Sequence, residues 1–240
     1  MKYLYGPIKS RRLGYSLGIN LTIPKTCSFG CVYCQLGKTS NLTTLRSEYI
    51  KISDIIDELK EWVAGLKGDI PALDYITLSG SGEPTLNNKI ANLITFLKGF
   101  LPVKIALITN ASLLNDSLVR SDILNADLIV PSLDAVTQDR FIKIDRPCPQ
   151  IKIEDIVNGL ILLRKEFKGK IWLEVMLVKG INDDIRHIRK LKEAVDMINP
   201  DKIQINSPVR TTSETGVFAI SMPKLKKIRD ILGDDKSEII

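Results

Sequence analysis

Three of the chain's four cysteines fall within eight residues, at Cys27, Cys31 and Cys34 of KTCSFGCVYCQLG. Thiols crowded in this way bind metal or pair as disulfides, and the two options make different demands. A disulfide inside the trio leaves a thiol over and has little value in a reducing compartment. A structural zinc ion asks for four protein ligands, commonly as two close pairs. Its fourth ligand would have to be Cys148, in RPCP, or His187, the chain's only histidine. His187 lies in the charged helical stretch DDIRHIRK and is expected to be solvated. An iron–sulfur cubane is different: its irons take one thiolate each, so three cysteines leave one iron open to another ligand.

The elements that must hold such a loop are readable from alternating textures. Short apolar runs near 17–23, 75–79, 103–109, 127–132, 170–178 and 202–207 predict strands. Helical periodicity appears over 52–67, with Ser53 as N-cap, and over 88–100, 115–125, 153–167 and 183–198. A last helix follows Met222, and the tail DDKSEII is expected to fray. Strands alternating with amphipathic helices predict an α/β fold built on a mostly parallel sheet. Six strands are too few for a closed eight-stranded barrel, so they suit an incomplete barrel or an open sheet, of which an incomplete (β/α)6 TIM-like barrel is the expectation. One domain over 1–240 is expected, its core over 15–210 and a C-terminal helix and tail over 211–240.

Ligands of such sheets bind at the carboxyl ends of the strands. The unusual residues cluster there: the cysteines after the first strand, Gly80 to Thr85 after the second, Asn110 after the third, Ser132 to Asp134 after the fourth. Glu174 and Met176 share one face of the fifth strand, and Asn206 ends the sixth. The chain is 44% hydrophobic with net charge +6, which suits a globular core with a lysine-rich surface or an RNA or phosphate-bearing partner. No apolar run approaches the roughly 20 residues of a membrane helix and no signal peptide opens the chain, so a cytoplasmic protein is expected.

The spacing C-x3-C-x2-C, with aromatic Tyr33 before the third cysteine, resembles the CxxxCxΦC loop of the radical S-adenosylmethionine (SAM) superfamily. That resemblance implies one 4Fe–4S cluster on Cys27, Cys31 and Cys34, with SAM on the open iron and Tyr33 near the adenine. It implies that ITLSGSGEPTL places Gly80, Ser81, Gly82 and Glu83 at the amino group of the SAM methionine. Ser132 and Asp134, in PSLDAVTQDRF, would meet the SAM ribose or carboxylate, with Asn110, Glu174 and Asn206 around the same cofactor. The implied reaction is reductive cleavage of SAM to a 5′-deoxyadenosyl radical that takes hydrogen from a substrate. A low-potential electron donor of flavodoxin or ferredoxin type is implied as partner.

GPIKSRRLGYSLGINL together with the cysteine loop resembles a group of short Fe–S oxidoreductases grouped with the wyosine-type tRNA-modifying enzymes. Cys148 alone cannot hold the second cluster expected of a wyosine synthase. Arg11, Arg12 and Arg210 are candidates for a substrate phosphate or carboxylate, since arginine suits planar bidentate recognition. The opposing expectation is that SRRLG packs beneath the barrel or simply sits at the surface. Lys25, Lys38 and Lys143 are candidates for steering an anionic partner. The substrate is then RNA or a small anionic molecule. The alternatives are an activase that installs a glycyl radical on a partner enzyme, and a non-catalytic Fe–S or SAM-binding module.

Overall fold

The computed structural model describes residues 1–22, 25–68 and 71–240. Strands β1 (Leu4–Ser10) and β2 (Gly14–Ile19) open the chain, and two-residue strands β3 (Thr26–Cys27) and β4 (Asn41–Leu42) flank the cysteines. There follow α1 (Ile52–Gly65), β5 (Tyr75–Leu78), α2 (Ile90–Phe100), β6 (Lys104–Thr109), α3 (Ser117–Ile123) and β7 (Leu128–Pro131). Next come α4 (Gln138–Asp145), α5 (Ile153–Glu166), β8 (Lys170–Met176), α6 (Ile185–Ile198), β9 (Lys202–Asn206), α7 (Met222–Leu232) and β10 (Ser237–Ile239).

Eight strands form one sheet in the order β1-β2-β5-β6-β7-β8-β9-β10. β1 pairs antiparallel with β2, and every later neighbour is parallel. The end strands do not meet, so this is a partial barrel and not a closed one. The six strands expected from the sequence are β2 and β5 to β9. Ile23, the last residue of the first expected strand, lies outside the described residues.

The register sorts the side chains onto two faces. Ile76, Ile105, Leu107, Ile129, Ile171, Leu173, Ile203 and Ile205 share the face that packs on the helices, through Ile55, Leu59, Ile94, Leu97, Leu160, Leu163, Ile188 and Leu191. That continuous apolar layer is the principal core. The other face is concave and carries Tyr75, Ala106, Ile108, Leu128, Val130 and Trp172. Leu13, at the tip of the β1–β2 hairpin and 3% exposed, plugs this apolar patch. Within SRRLG only Leu13 is buried; Arg11 and Gly14 are exposed and Arg12 is half-buried.

Four expectations need correction. The sheet begins at Leu4 and ends at Ile239, beyond the expected core of 15–210, because the hairpin strand and the tail cover its two edges. DDKSEII is not frayed: Ser237–Ile239 pairs with β9, and Glu238 bonds Gln204 at 2.7 Å and Lys202 at 3.1 Å. Ser53 lies inside α1. The helix is preceded by Lys51, and the Glu48 carboxylate accepts the Ile52 N–H at 3.0 Å. His187 is 2% exposed on the inner stripe of α6, where burial lowers its pKa and keeps it neutral.

Candidate active site

The cysteine loop leaves the end of β2 and is fastened on three sides. On the first, Cys27 lies in β3, whose carbonyl accepts the Thr43 N–H at 3.0 Å, and Asn41 N donates to Lys25 O at 3.1 Å. On the second, Gly30 N donates to Asp145 O and Arg146 O at 3.0 and 3.1 Å, and Val32 N donates to Ile144 O at 2.9 Å. On the third, the Ser213 hydroxyl donates to the carbonyls of Cys31 and Val32 at 2.8 and 2.9 Å. Phe29 and Val32 turn inward and are buried, Phe29 meeting Phe141 edge-on at 5.3 Å. The three cysteines between and beside them stay half-buried.

Each thiol has a polar neighbour. Asn110 Nδ2 lies 3.5 Å from Cys27 Sγ, Asp145 Oδ1 3.4 Å from Cys31 Sγ, and Lys25 Nζ 3.1 Å from Cys34 Sγ. Burial, reinforced by the Glu83 charge, pushes the Cys27 pKa up to about 12, and burial also pushes Cys31 well above the thiol range. The thiols are close enough for a charge on Cys34 to act on Cys27, and one on Cys27 to act on Cys31. Three free cysteines on one loop offer a thiolate to each of three irons and leave a fourth iron open, so the donor set fits a cubane.

The glycine-rich turn packs directly on this loop. Glu83 N donates to Thr26 O at 3.1 Å, beside Cys27. At Gly82 an added Cβ would lie 1.8 Å from that same carbonyl, so only glycine permits the contact. Ser81 is held by Asn20, its N–H 2.9 Å from Asn20 Oδ1, and by a short hydroxyl bond to Thr22 O. The Glu83 carboxylate is 2% exposed and already accepts four bonds, from Thr85 N at 3.1 Å, Thr85 Oγ1 at 2.6 Å, Thr109 Oγ1 at 2.6 Å and Asn110 N at 2.7 Å. It ties the turn to the end of β6. Burial raises its pKa against those hydrogen bonds.

The residues expected around the cofactor divide into two groups. Tyr33, Asn110, Ser132, Asp134 and the nearby Asp145 line one small recess next to the cysteines. Within it, Asp134 accepts the Tyr33 hydroxyl and the Met176 N–H, the latter at 2.8 Å. Burial lifts the Asp134 pKa to about 7 and that of Asp145 well above the carboxylate range. Asp145 was not singled out from the sequence. Its signal is QDRFIKID, where Phe141 and Ile144 mark the inner face of α4, a short helix ended by left-handed Arg146 and then Pro147.

Glu174 and Asn206 belong to the second group, on the concave face. Glu174 is 5% exposed, accepts from Asn206 Nδ2 at 3.2 Å and ion-pairs with Arg12 at 2.8 Å. Arg12 thus joins a candidate cofactor residue, Glu174. Together with Tyr5, Asn20, Ser79, Gly80 and Ser81 it lines a cavity of about 600 Å³. Arg11 is exposed at the hairpin tip, and Arg210 is exposed 3.4 Å from Gln35 Oε1, so neither joins that cavity. Cys148 is 3% exposed and its N–H bonds Ser28 O at 2.9 Å.

The Arg12–Glu174 pair makes a testable demand. Arg12→Met leaves a buried carboxylate with an amide as its remaining partner, and is expected to cost about 3 kcal/mol in urea unfolding, the lower part of the usual range because Arg12 is partly open to water. Arg12→Met/Glu174→Met is expected to recover most of that loss. A double variant as unstable as the single one would show that packing of the Arg12 stem, not its charge, carries the effect.

Comparison with known proteins is consistent with this geometry. A family model described as "Radical SAM superfamily" matches residues 21–191. A UPF0026 protein of Methanocaldococcus jannaschii is 38% identical over 97% of this chain and 70% of its own length. A protein named GTPase Obg, of Brachyspira hyodysenteriae, is 42% identical over 95% of this chain, but the chain spans only 33% of that protein. In fold, a solved structure of TYW1 with a lysine-pyruvate adduct bound has a TM-score of 0.65 at 19% identity, over 92% of this chain and 74% of that one. A radical SAM methyltransferase from Sphaerobacter thermophilus has a TM-score of 0.68 at 16% identity, over 94% and 65% of the two chains. No helix among the described residues is long and apolar enough to cross a membrane.

Proposed function

The chain belongs to the radical SAM superfamily, and from that premise we propose a single-cluster enzyme that cleaves SAM reductively and passes the radical to an anionic substrate. Cys27, Cys31 and Cys34 hold a 4Fe–4S cluster. When bound, that cluster supplies one electron to the SAM sulfonium. The observation that carries the reading is the bond from Glu83 N to Thr26 O, which seats the GSGE turn against the residue preceding the first cysteine.

The chain's own residues do the positioning. The Glu83 carboxylate fixes the turn, so that backbone carbonyls of Gly80 to Gly82 meet the SAM amino group, while the Ser81 N–H is taken up by Asn20. Tyr33, held by Asp134, lies beside the cysteines with Asn110 and Ser132, the residues assigned here to the cofactor's edge. Leu13 and the apolar concave patch exclude water from below. Glu174, braced by Asn206, holds Arg12 at the neighbouring cavity, where its guanidinium faces a phosphate or carboxylate, on RNA or a small molecule. A one-electron donor of flavodoxin or ferredoxin type completes the cycle.

The test is anaerobic reconstitution with iron and sulfide, followed by dithionite and SAM, with 5′-deoxyadenosine read by mass spectrometry. Its formation supports the reading, and deuterium transfer into it then screens candidate substrates. A demonstrable cubane that neither binds SAM nor yields 5′-deoxyadenosine would refute it.

A further inference from the structure

We infer that Lys25 is a charge-setting residue for the cluster, making it easier to reduce; this rests on the cluster reading above. Lys25 Nζ lies 3.1 Å from Cys34 Sγ and donates a short bond to the Gly37 carbonyl. Its positive charge also acts on Cys27, where it favours the thiolate.

The ammonium is held there by its backbone. The Lys25 carbonyl accepts from Asn41 N at 3.1 Å and from Ser40 Oγ at 3.0 Å, so the stem leaves a fixed point at the edge of β3. The side chain then spans the loop from before its first cysteine to beyond its third. No carboxylate pairs with Lys25 among the ion pairs of the described residues. Its Nζ is shared between the Cys34 sulfur and the Gly37 carbonyl.

The electrostatic consequence has a definite sign. Three thiolates and a cubane core of charge +2 give a net charge of −1, and uptake of one electron makes it −2. A fixed cation beside a sulfur ligand favours the more negative state, and a hydrogen bond to the sulfur acts in the same direction. The carboxylates nearby oppose it: Asp145 lies against Cys31, and Glu83 and Asp134 act on Cys27 and Cys31. Lys25 is the cation within hydrogen-bond distance of a candidate ligand sulfur among the described residues.

The test compares reconstituted wild type with Lys25→Arg, Lys25→Met and Lys25→Gln in a redox titration read by electron paramagnetic resonance, with iron and sulfide content measured on each. At the wild-type midpoint, Lys25→Met and Lys25→Gln are expected to show a reduced-to-oxidised ratio at least tenfold lower, which is a shift of about 59 mV for one electron. Lys25→Arg is expected to stay within threefold. Full iron content with an unchanged midpoint in Lys25→Met or Lys25→Gln would overturn the inference. So would failure of both neutral variants to take up iron while Lys25→Arg does, since Lys25 would then brace the loop through Gly37 and set no charge. Wild type that takes up no cluster would instead refute the reading on which the inference rests.

Discussion

Cys27→Ala, Cys31→Ala and Cys34→Ala are each expected to abolish the broad visible absorbance of the anaerobically reconstituted protein, while Cys148→Ala keeps wild-type iron content. The asymmetry follows from position. Cys27, Cys31 and Cys34 are half-buried in a loop laced to β3, α4 and Ser213, so the backbone presents all three sulfurs with little further ordering. Burial holds Cys27 and Cys31 as neutral thiols, and metal uptake must displace their protons. That cost is recovered only if each thiolate gains its iron, and loss of one sulfur leaves one iron without its thiolate. Cys148 has no such role. Its sulfur is packed in the core, where an inert thiol behaves as a small hydrophobe. Alanine there is expected to cost about 1 kcal/mol, by the loss of one buried heavy atom. Iron retained by any alanine variant of the trio, or lost from Cys148→Ala, would overturn the ligand set.

Strands β2 and β5 to β9 were legible because a parallel sheet covered by helices demands near-continuous apolar runs. The cysteine loop was legible because its spacing is specific. The sheet edges were not. β1 contains Gly6-Pro7, which breaks alternation, and β10 is three half-buried residues that take their pairing from the open edge of β9. His187 had a readable signal that its charged neighbours masked: positions 187, 191, 194 and 198 fall on the inner stripe of α6. The Arg12–Glu174 pair joins residues far apart in sequence, and neither local texture nor spacing announces it. The same holds for Glu83. The sequence shows a carboxylate in a glycine-rich turn, but not that its oxygens are spent on Thr85, Thr109 and Asn110.

Those four bonds make Glu83→Ala the most damaging change expected outside the cysteines. The substitution leaves two hydroxyls and two backbone N–H groups without their shared acceptor in a buried site. At about 1 kcal/mol or more for each orphaned donor, the expected loss is about 4 kcal/mol. For a chain of this size that corresponds to a fall of roughly 10 °C in Tm. Glu83→Gln keeps one oxygen for Thr85 and Thr109 but turns an amide N–H toward Asn110 N, and is expected to lose about half as much. Thr109→Val removes one donor and is expected to cost about 1 kcal/mol. If the turn meets SAM through its backbone, the affinity of the reconstituted protein should follow the same order, with Glu83→Ala at least tenfold weaker than wild type and Thr109→Val within threefold. If the carboxylate itself meets SAM, Glu83→Gln should lose affinity as severely as Glu83→Ala despite its smaller loss of stability. A Glu83→Ala protein with wild-type Tm would contradict the four-bond arrangement itself, because a buried acceptor shared by four donors cannot be removed without cost.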